Sequence, residues 1–519
     1  MPYAVLLDTV SIQSFIFSTN NLKENLGASQ LVKEIYEEPL FQVLREFAPS
    51  LSKEMLNDWK INPEREIFSS GLPFEIGYIG GGNALIFFEK EDMAKDFIKK
   101  WSLRLLTFAP SLTPASAVGE ISFDEGRFAN DLNNLFKKLT HNKSNFHPLT
   151  VTTRHGINAE CRRTGLSKEV WAENLPFDEK DYISAVAYAK IEASKRADKE
   201  HENILREIDK EGKYCFTSNL EELGQIKGEE NYIAIVHIDG NDMAKKFKQT
   251  KNIFEKRILS RDLAEHTYQT FKEILVRIIE KIPQMRDYYD LREKEGKIIL
   301  PIRPIIIGGD DITFVCDGRL GIWLAKTFLE IFQSKKIQNH SISACAGISI
   351  TKTKYPFYRG YQLSEELLRN AKNKRKEEED TGSWLDFHLS YGGFSGRLND
   401  IRKKHYRTEE VDLLLRPFKI EDLNEIIKAT AELLEEDENG RYKFPRSKLH
   451  KLREALYSTE NERLRLLQEL KIRGLRLPRY KDFDGERLVI DKKTPYYEMI
   501  ELTEMYPKFA FKEEKDGSS

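Results

Sequence analysis

Residues 305–315 read IIIGGDDITFV. Two glycines between β-branched runs indicate a tight hairpin turn whose backbone a ligand can approach closely. Two aspartates follow at once. Adjacent carboxylates repel each other, a cost that a cation beside them removes. By itself the segment also fits an ordinary Gly-Asp turn, so its surroundings decide. Residues 232–238 (YIAIVHI) make an apolar strand that ends at Asp239, 69 residues before Gly308. Apolar positions from Phe254 to Ile278 recur at helical spacing and predict a helix over 254–281. Residues 303–316 predict the hairpin, 320–333 a second helix and 341–350 a last strand. Strand, helix, hairpin, helix, strand is the order of a ferredoxin-like palm, with the first strand beside the hairpin. Asp239 then faces Asp310 and Asp311 at one sheet edge. Converging hard oxygens of this kind suit Mg²⁺ or Mn²⁺. Two such ions can activate a 3′-hydroxyl and stabilise a departing pyrophosphate.

The same order occurs earlier in the chain. Residues 3–7 and 12–17 are strand-like or buried, 28–47 helical with a break at Pro39, and 74–88 two strands around a glycine turn. Residues 91–106 predict a helix and 115–122 a strand. Asp8 and Asp239 are 231 residues apart; Gly80 and Gly308, and Gly119 and Gly347, are 228 apart. These offsets indicate an internal repeat. In the first copy Gly82 and Asn83 stand where the second has Asp310 and Asp311. A glycine and an amide cannot hold two divalent ions. That half is either an acceptor site for a nucleotide or purely structural.

The expected fold is therefore α+β: two ferredoxin-like (βαββαβ) palm domains with an inter-palm insert and a helical C-terminal domain. The expected boundaries are 1–149 for the first palm with its GGGN hairpin, 150–230 for a charged helical linker, 231–390 for the GGDD palm and 391–519 for the C-terminal helices. Within them, 188–210 reads as a solvated charged helix, 410–435 and 447–471 as amphipathic helices, and the tail KEEKDGSS as frayed.

Composition sets outer limits. Lys and Arg total 82 and Asp and Glu 84 in 519 residues, a net charge of −2, which excludes a uniformly basic nucleic-acid-binding surface. The stretch 443–481 is locally basic, and two readings stand: contact with RNA or a partner subunit, or a solvated surface balanced by Glu454, Glu460, Glu462 and Glu469. No apolar run approaches the ~20 residues of a membrane span, and Asp8 interrupts the N-terminal apolar stretch, which reads as a strand and not a signal peptide. Four cysteines without a CxxC pair fit a reducing compartment, so the expected location is cytoplasmic, with no membrane partner.

HIDGNDMAKKF (237–247), IIIGGDDITFV, ISACAGISITKTKYPFY (342–358) and LLRNAKNKRK (367–376) together resemble the second palm of the CRISPR-associated polymerase/cyclase family, the large subunit of type III effector complexes. DTVSIQSFIFSTNNLKENLGASQLV (8–32) and GYIGGGNALIFF (77–88) resemble that family's first palm. The resemblance covers roughly residues 1–380. It implies nucleotidyl transfer from ATP to a cyclic oligoadenylate messenger in antiviral defence. Carried over by position, Asp239, Asp310 and Asp311 would hold the metals, and Gly240, Gly308 and Gly309 would make room for the nucleotide. Lys372 would touch the triphosphate, or lie on a solvated helix face with Lys374 and Lys376. Implied partners are guide and target RNA and other effector subunits, with a homodimer as another way to complete the site. The sequence has no His-Asp dipeptide, so a nuclease of that type is not expected, nor is there room for its domain before Asp8. The family's inter-palm zinc cysteines are reduced to isolated Cys161 and Cys215, and where many members read DGD this chain has Asp239-Gly240-Asn241-Asp242. Two rival functions stay open: a non-catalytic RNA-binding scaffold, and a cyclic dinucleotide synthase that uses GTP.

Overall fold

The structure, a computed structural model, describes residues 1–145, 158–173, 175, 180–223, 231–338, 340–391 and 396–516. The first half contains β1 (Tyr3–Val10), α1 (Leu22–Glu34), β2 (Phe74–Gly80), β3 (Asn83–Phe88), α2 (Glu91–Phe108), β4 (Thr113–Glu120) and α3 (Glu125–Ser144). Its strands lie in the order β2-β3-β1-β4. After helix α4 (Ala185–Ile208) the second half contains β5 (Tyr232–Gly240), α5 (Ile253–Met285), β6 (Ile302–Gly308), β7 (Asp311–Asp317), α6 (Gly321–Ser334), β8 (Ala344–Lys352) and α7 (Phe357–Glu377). Its sheet runs β6-β7-β5-β8, then continues through β9 (Trp384–Leu389), parallel to β8, and β10 (Phe418–Lys419). Both sheets have the strand order of a ferredoxin-like palm.

Register makes the repeat concrete. Asp8 pairs with Asn83 as Asp239 pairs with Asp311, and Gly80 pairs with Asn83 as Gly308 pairs with Asp311. Each outer hairpin strand carries a bulge at the same place, Gly77 in β2 and Ile305 in β6. The Gly119–Gly347 equivalence does not hold. Gly119 lies opposite Ala4 and Gly347 opposite His237, so the fourth strands are displaced by two residues relative to that alignment.

The two halves pack reciprocally: α5 of the second lies on β2 of the first, and α1 of the first on β6 of the second. Ile233, Ile235, Ile305 and Val315 of the second sheet are buried in the same apolar cluster as the first half. Arg257 of α5, fully buried, donates to the bulge carbonyls of Ile76 and Gly77 and pairs with Glu75 at 2.9 Å. Its charge is tolerated there because the guanidinium is paired and hydrogen-bonded. Helix α4 crosses α1 so closely that a Cβ on Gly27 would lie 1.6 Å from the Lys190 carbonyl oxygen.

Four expectations need correction. Of residues 12–17, read as strand-like or buried, 12–16 form a short helix, and Ile16 and Phe17 are buried. Helix α4 is not simply solvated: Val186, Lys190, Ile191, Ser194, Ala197 and Ile204 make a buried face. The helix expected over 410–435 is only Ile420–Leu433, and 447–471 is divided into Arg446–Tyr457 and Glu460–Ile472. These C-terminal helices share one core with the second sheet, with Trp323 of α6 edge-on to Phe509 at 5.1 Å. Of the tail KEEKDGSS, residues 517–519 lie outside the described residues. Among the described residues no helix is long and apolar enough to cross a membrane.

Candidate active site at the GGDD hairpin

The three aspartates meet at the C-terminal end of β5. Asp239 sits opposite Asp311, and the Gly240 N–H donates to the Asp310 carbonyl at 3.1 Å. Gly309 has φ +57°, which lets the two-residue turn close, and no atom lies within 4 Å of where a Cβ on Gly308 or Gly309 would project. Thr267 of α5 fixes the turn by donating to the Gly309 carbonyl at 2.6 Å. Gly240 serves packing: a Cβ there would come within 2.8 Å of the Asp310 Cβ and 2.9 Å of its Oδ2.

Burial, then Asp239 and Asp311, push the Asp310 carboxyl up to about 7. Burial also raises Asp239, opposed by Lys372, whose ammonium is in direct contact with Asp239 Oδ2 and donates to the Gly240 carbonyl at 3.2 Å. Lys372 therefore lies at the carboxylates and not on a solvated face. Asp242 turns away to Arg375, which holds its carboxyl below the ordinary range. Among the described residues no three His, Cys, Asp or Glu side chains form a preformed metal cage. Even so, Asp311 Oδ1 is buried and accepts no well-aligned hydrogen bond, although His237 faces it, and such an oxygen suits a hard cation.

The sequence reading missed His237. Its Nε2 lies 3.2 Å from Asp311 Oδ1, and its ring is buried and stacked on Tyr361 at 5.4 Å. Burial disfavours the imidazolium, but Asp311 and then Asp239 outweigh it and raise the His237 pKa. Tyr361 in turn stacks at 3.5 Å on Phe17 of the first half. The alternation of β5 puts His237 and Asp239 on one face and was the available signal.

The first-half turn is built differently. Gly81 and Gly82 both have positive φ, and a Cβ on Gly82 would meet Ile12 Cδ1 at 2.4 Å. No carboxylate could replace Gly82 without moving Ile12. Yet Asp8 is in contact with Lys143 of α3, as Asp239 is with Lys372 of α7. The repeat thus includes an Asp–Lys pair that the sequence comparison did not detect. Cys161 is buried in a small apolar cluster, and Cys215 lies on a two-residue strand beside Lys297–Ile299.

Residues 232–380 match the family model described as Cas10/Cmr2, second palm domain. This segment is similar to a Cas10-type second palm. The fold of nearly the whole chain is similar to that of Csm1 from T.onnurineus, with a TM-score of 0.57 at 15% identity over 98% of this chain and 70% of that one. It is also similar to Csm1–Csm4 cassettes solved with one ATP (TM-score 0.56) and with cA4 (0.55), both at 15% identity over 97% of this chain and 69% of those. At that identity the likeness is one of fold, and the chain has the fold of a Cas10-like palm subunit. No curated protein matches it in sequence.

Proposed function

We propose that the protein is a metal-dependent nucleotidyltransferase that makes a cyclic oligoadenylate from ATP in a CRISPR-type defence. The observation that carries this reading is the convergence of Asp239, Asp310 and Asp311 beside an open glycine turn, within a Cas10-type palm. The structural relatives include cassettes with ATP, AMPPNP, pppApA, cA3 and cA4, which supports adenine nucleotides as substrate and product. Asp239, Asp310 and Asp311 would hold Mg²⁺ or Mn²⁺, which when bound supplies charge neutralisation at the phosphates and a more acidic 3′-hydroxyl. Divalent ions of this class are commonly held by one or two carboxylates plus substrate phosphates, so a full protein cage is not required.

The side chains divide the remaining work. Gly308 and Gly309 leave the turn bare for the nucleotide. Lys372 leaves Asp239 and donates to the triphosphate. His237 orients Asp311 from below. The GGGN turn of the first half, facing the same helix α5 through Ser260, holds the acceptor nucleotide.

The Lys372–Asp239 pair also favours a second reading, an idle site in a scaffold that holds RNA and a Csm4-like subunit. One experiment separates the two. The purified chain is incubated with each NTP and Mn²⁺, and products are read by mass spectrometry. Cyclic or linear oligoadenylate, absent from Asp310→Ala/Asp311→Ala, supports the enzyme. No product with any NTP, alone or with RNA and a Csm4-like subunit, supports the scaffold. A GTP-only product would replace ATP as the substrate.

A further inference from the structure

At the opposite end of β5 from Asp239 lies a cavity of about 570 Å³ between the second palm and the C-terminal helices. Tyr232, the first residue of β5, lines it, which places it roughly 23 Å along the strand from the carboxylates. Its volume is within the range of small-molecule sites. Two features give it a chemical character. Its walls carry tyrosine rings, and cations are held over them. Lys508 Nζ lies 5.1 Å from the centre of the Tyr288 ring and 5.7 Å from that of Tyr442, and the Arg446 guanidinium lies 5.5 Å from Tyr442.

The charge there is not balanced. Among the described residues neither Arg446 nor Lys508 has a carboxylate within ion-pair distance, although most cations of 443–481 are paired. Lys448 and Lys451 meet Glu469, Arg463 meets Glu410, and Lys481 meets Asp422. The one acid lining the cavity among the described residues, Glu504, is taken by Arg453 at 2.9 Å. Arg446 and Lys508 also open their helices, where a cation opposes the helix dipole. This placement costs stability unless an anion sits nearby.

We propose that this cavity binds a nucleoside phosphate, with the base against Tyr288 or Tyr442 and the phosphate on Arg446 and Lys508. Aromatic faces stack any base, and paired cations suit a phosphate. The same chemistry is offered by a free nucleotide and by one nucleotide of an RNA strand. This site is separate from the GGDD carboxylates and does not depend on their activity.

The test is equilibrium binding of fluorescently labelled AMP, and of a labelled five-residue oligoadenylate, to the full chain in EDTA, which removes metal-dependent binding at the palm. Saturable AMP binding, weakened at least about tenfold by Arg446→Ala/Lys508→Ala and unchanged by Asp310→Ala/Asp311→Ala, supports the free-nucleotide form. Binding of the oligonucleotide alone with the same sensitivity supports the strand form. Both substituted side chains reach solvent, and a thermal melt together with the milder Arg446→Gln checks that the fold is retained. No binding of either probe up to about 1 mM overturns the proposal, as does binding indifferent to Arg446 and Lys508 or lost in the Asp310/Asp311 variant.

Discussion

Asp310→Asn removes a charge and keeps the shape of the side chain. In the metal-free protein Asp310 has a raised pKa of about 7 against an ordinary 3.8, owing to burial, then Asp239 and Asp311. A carboxyl whose pKa is raised by folding contributes full stability below the unfolded value and loses it as pH rises to the folded one. Three pH units correspond to about 4 kcal/mol. Asp310 is partly open to solvent, and water screening reduces this to about 2 kcal/mol. The expected outcome, in EDTA, is a variant no more stable than the parent near pH 4. Its advantage should grow through pH 5 and 6 and level off above pH 7. Thermal melts of both proteins across that range measure it. Oligoadenylate synthesis with Mn²⁺ should fall at least about a hundredfold, because the residue that destabilises the empty site is needed in the loaded one. A variant less stable than the parent at pH 8, or an advantage independent of pH, would refute this account of the carboxylate cluster.

Gly240→Ala puts a Cβ 2.8 Å from that of Asp310 and should depress synthesis at least about tenfold while costing about 1–2 kcal/mol of stability, read from parallel activity assays and denaturant melts. His237→Phe keeps an aromatic ring on Tyr361 but loses the 3.2 Å contact with Asp311. It should lower turnover more than it raises the KM for ATP, and a pure KM effect would contradict a role in orienting Asp311. Lys372→Met frees Asp239 of its ammonium, and the expected result is a KM for ATP raised about tenfold or more in steady-state kinetics. Gly27→Ala drives a methyl into the Lys190 carbonyl, and denaturant melts should show a loss of about 3 kcal/mol.

The aspartates and glycine turns were legible in the sequence because apolar, β-branched runs frame them. A continuous apolar strand ending in Asp and a Gly-Gly-Asp-Asp turn leave few alternative placements. The strand order followed from the sequence of elements, and hairpin register supports the equivalence of Gly82 and Asn83 to Asp310 and Asp311. What the sequence hid depends on contacts across the chain. The Lys143–Asp8 and Lys372–Asp239 pairs join residues 135 and 133 positions apart, and no local pattern marks them. Residues 12–17 looked strand-like or buried because Ile and Phe are common in strands and cores; the segment is a short helical turn over 12–16, and Ile16 and Phe17 are buried. Glycine matching by subtraction placed Gly119 on Gly347 because it could not see how far the last strands slide against β1 and β5. Helix α4 looked solvated because its lysines dominate the string, although small residues spaced along one face let α1 approach.

Helix α5 touches both glycine turns, Ser260 beside Gly80 and Thr267 at Gly309. Those residues are two turns apart on one face, so a single rigid rod sets the interval between the hairpins at about 10 Å. Loops can lengthen and the helical appendages can shift without altering that interval. A one-residue insertion between 260 and 267 would instead rotate one turn by about 100° relative to the other and lengthen the interval by about 1.5 Å. The helix therefore works as a ruler: if each turn holds a nucleotide as proposed, the reach between them is set by backbone geometry and not by the side chains that would grip them.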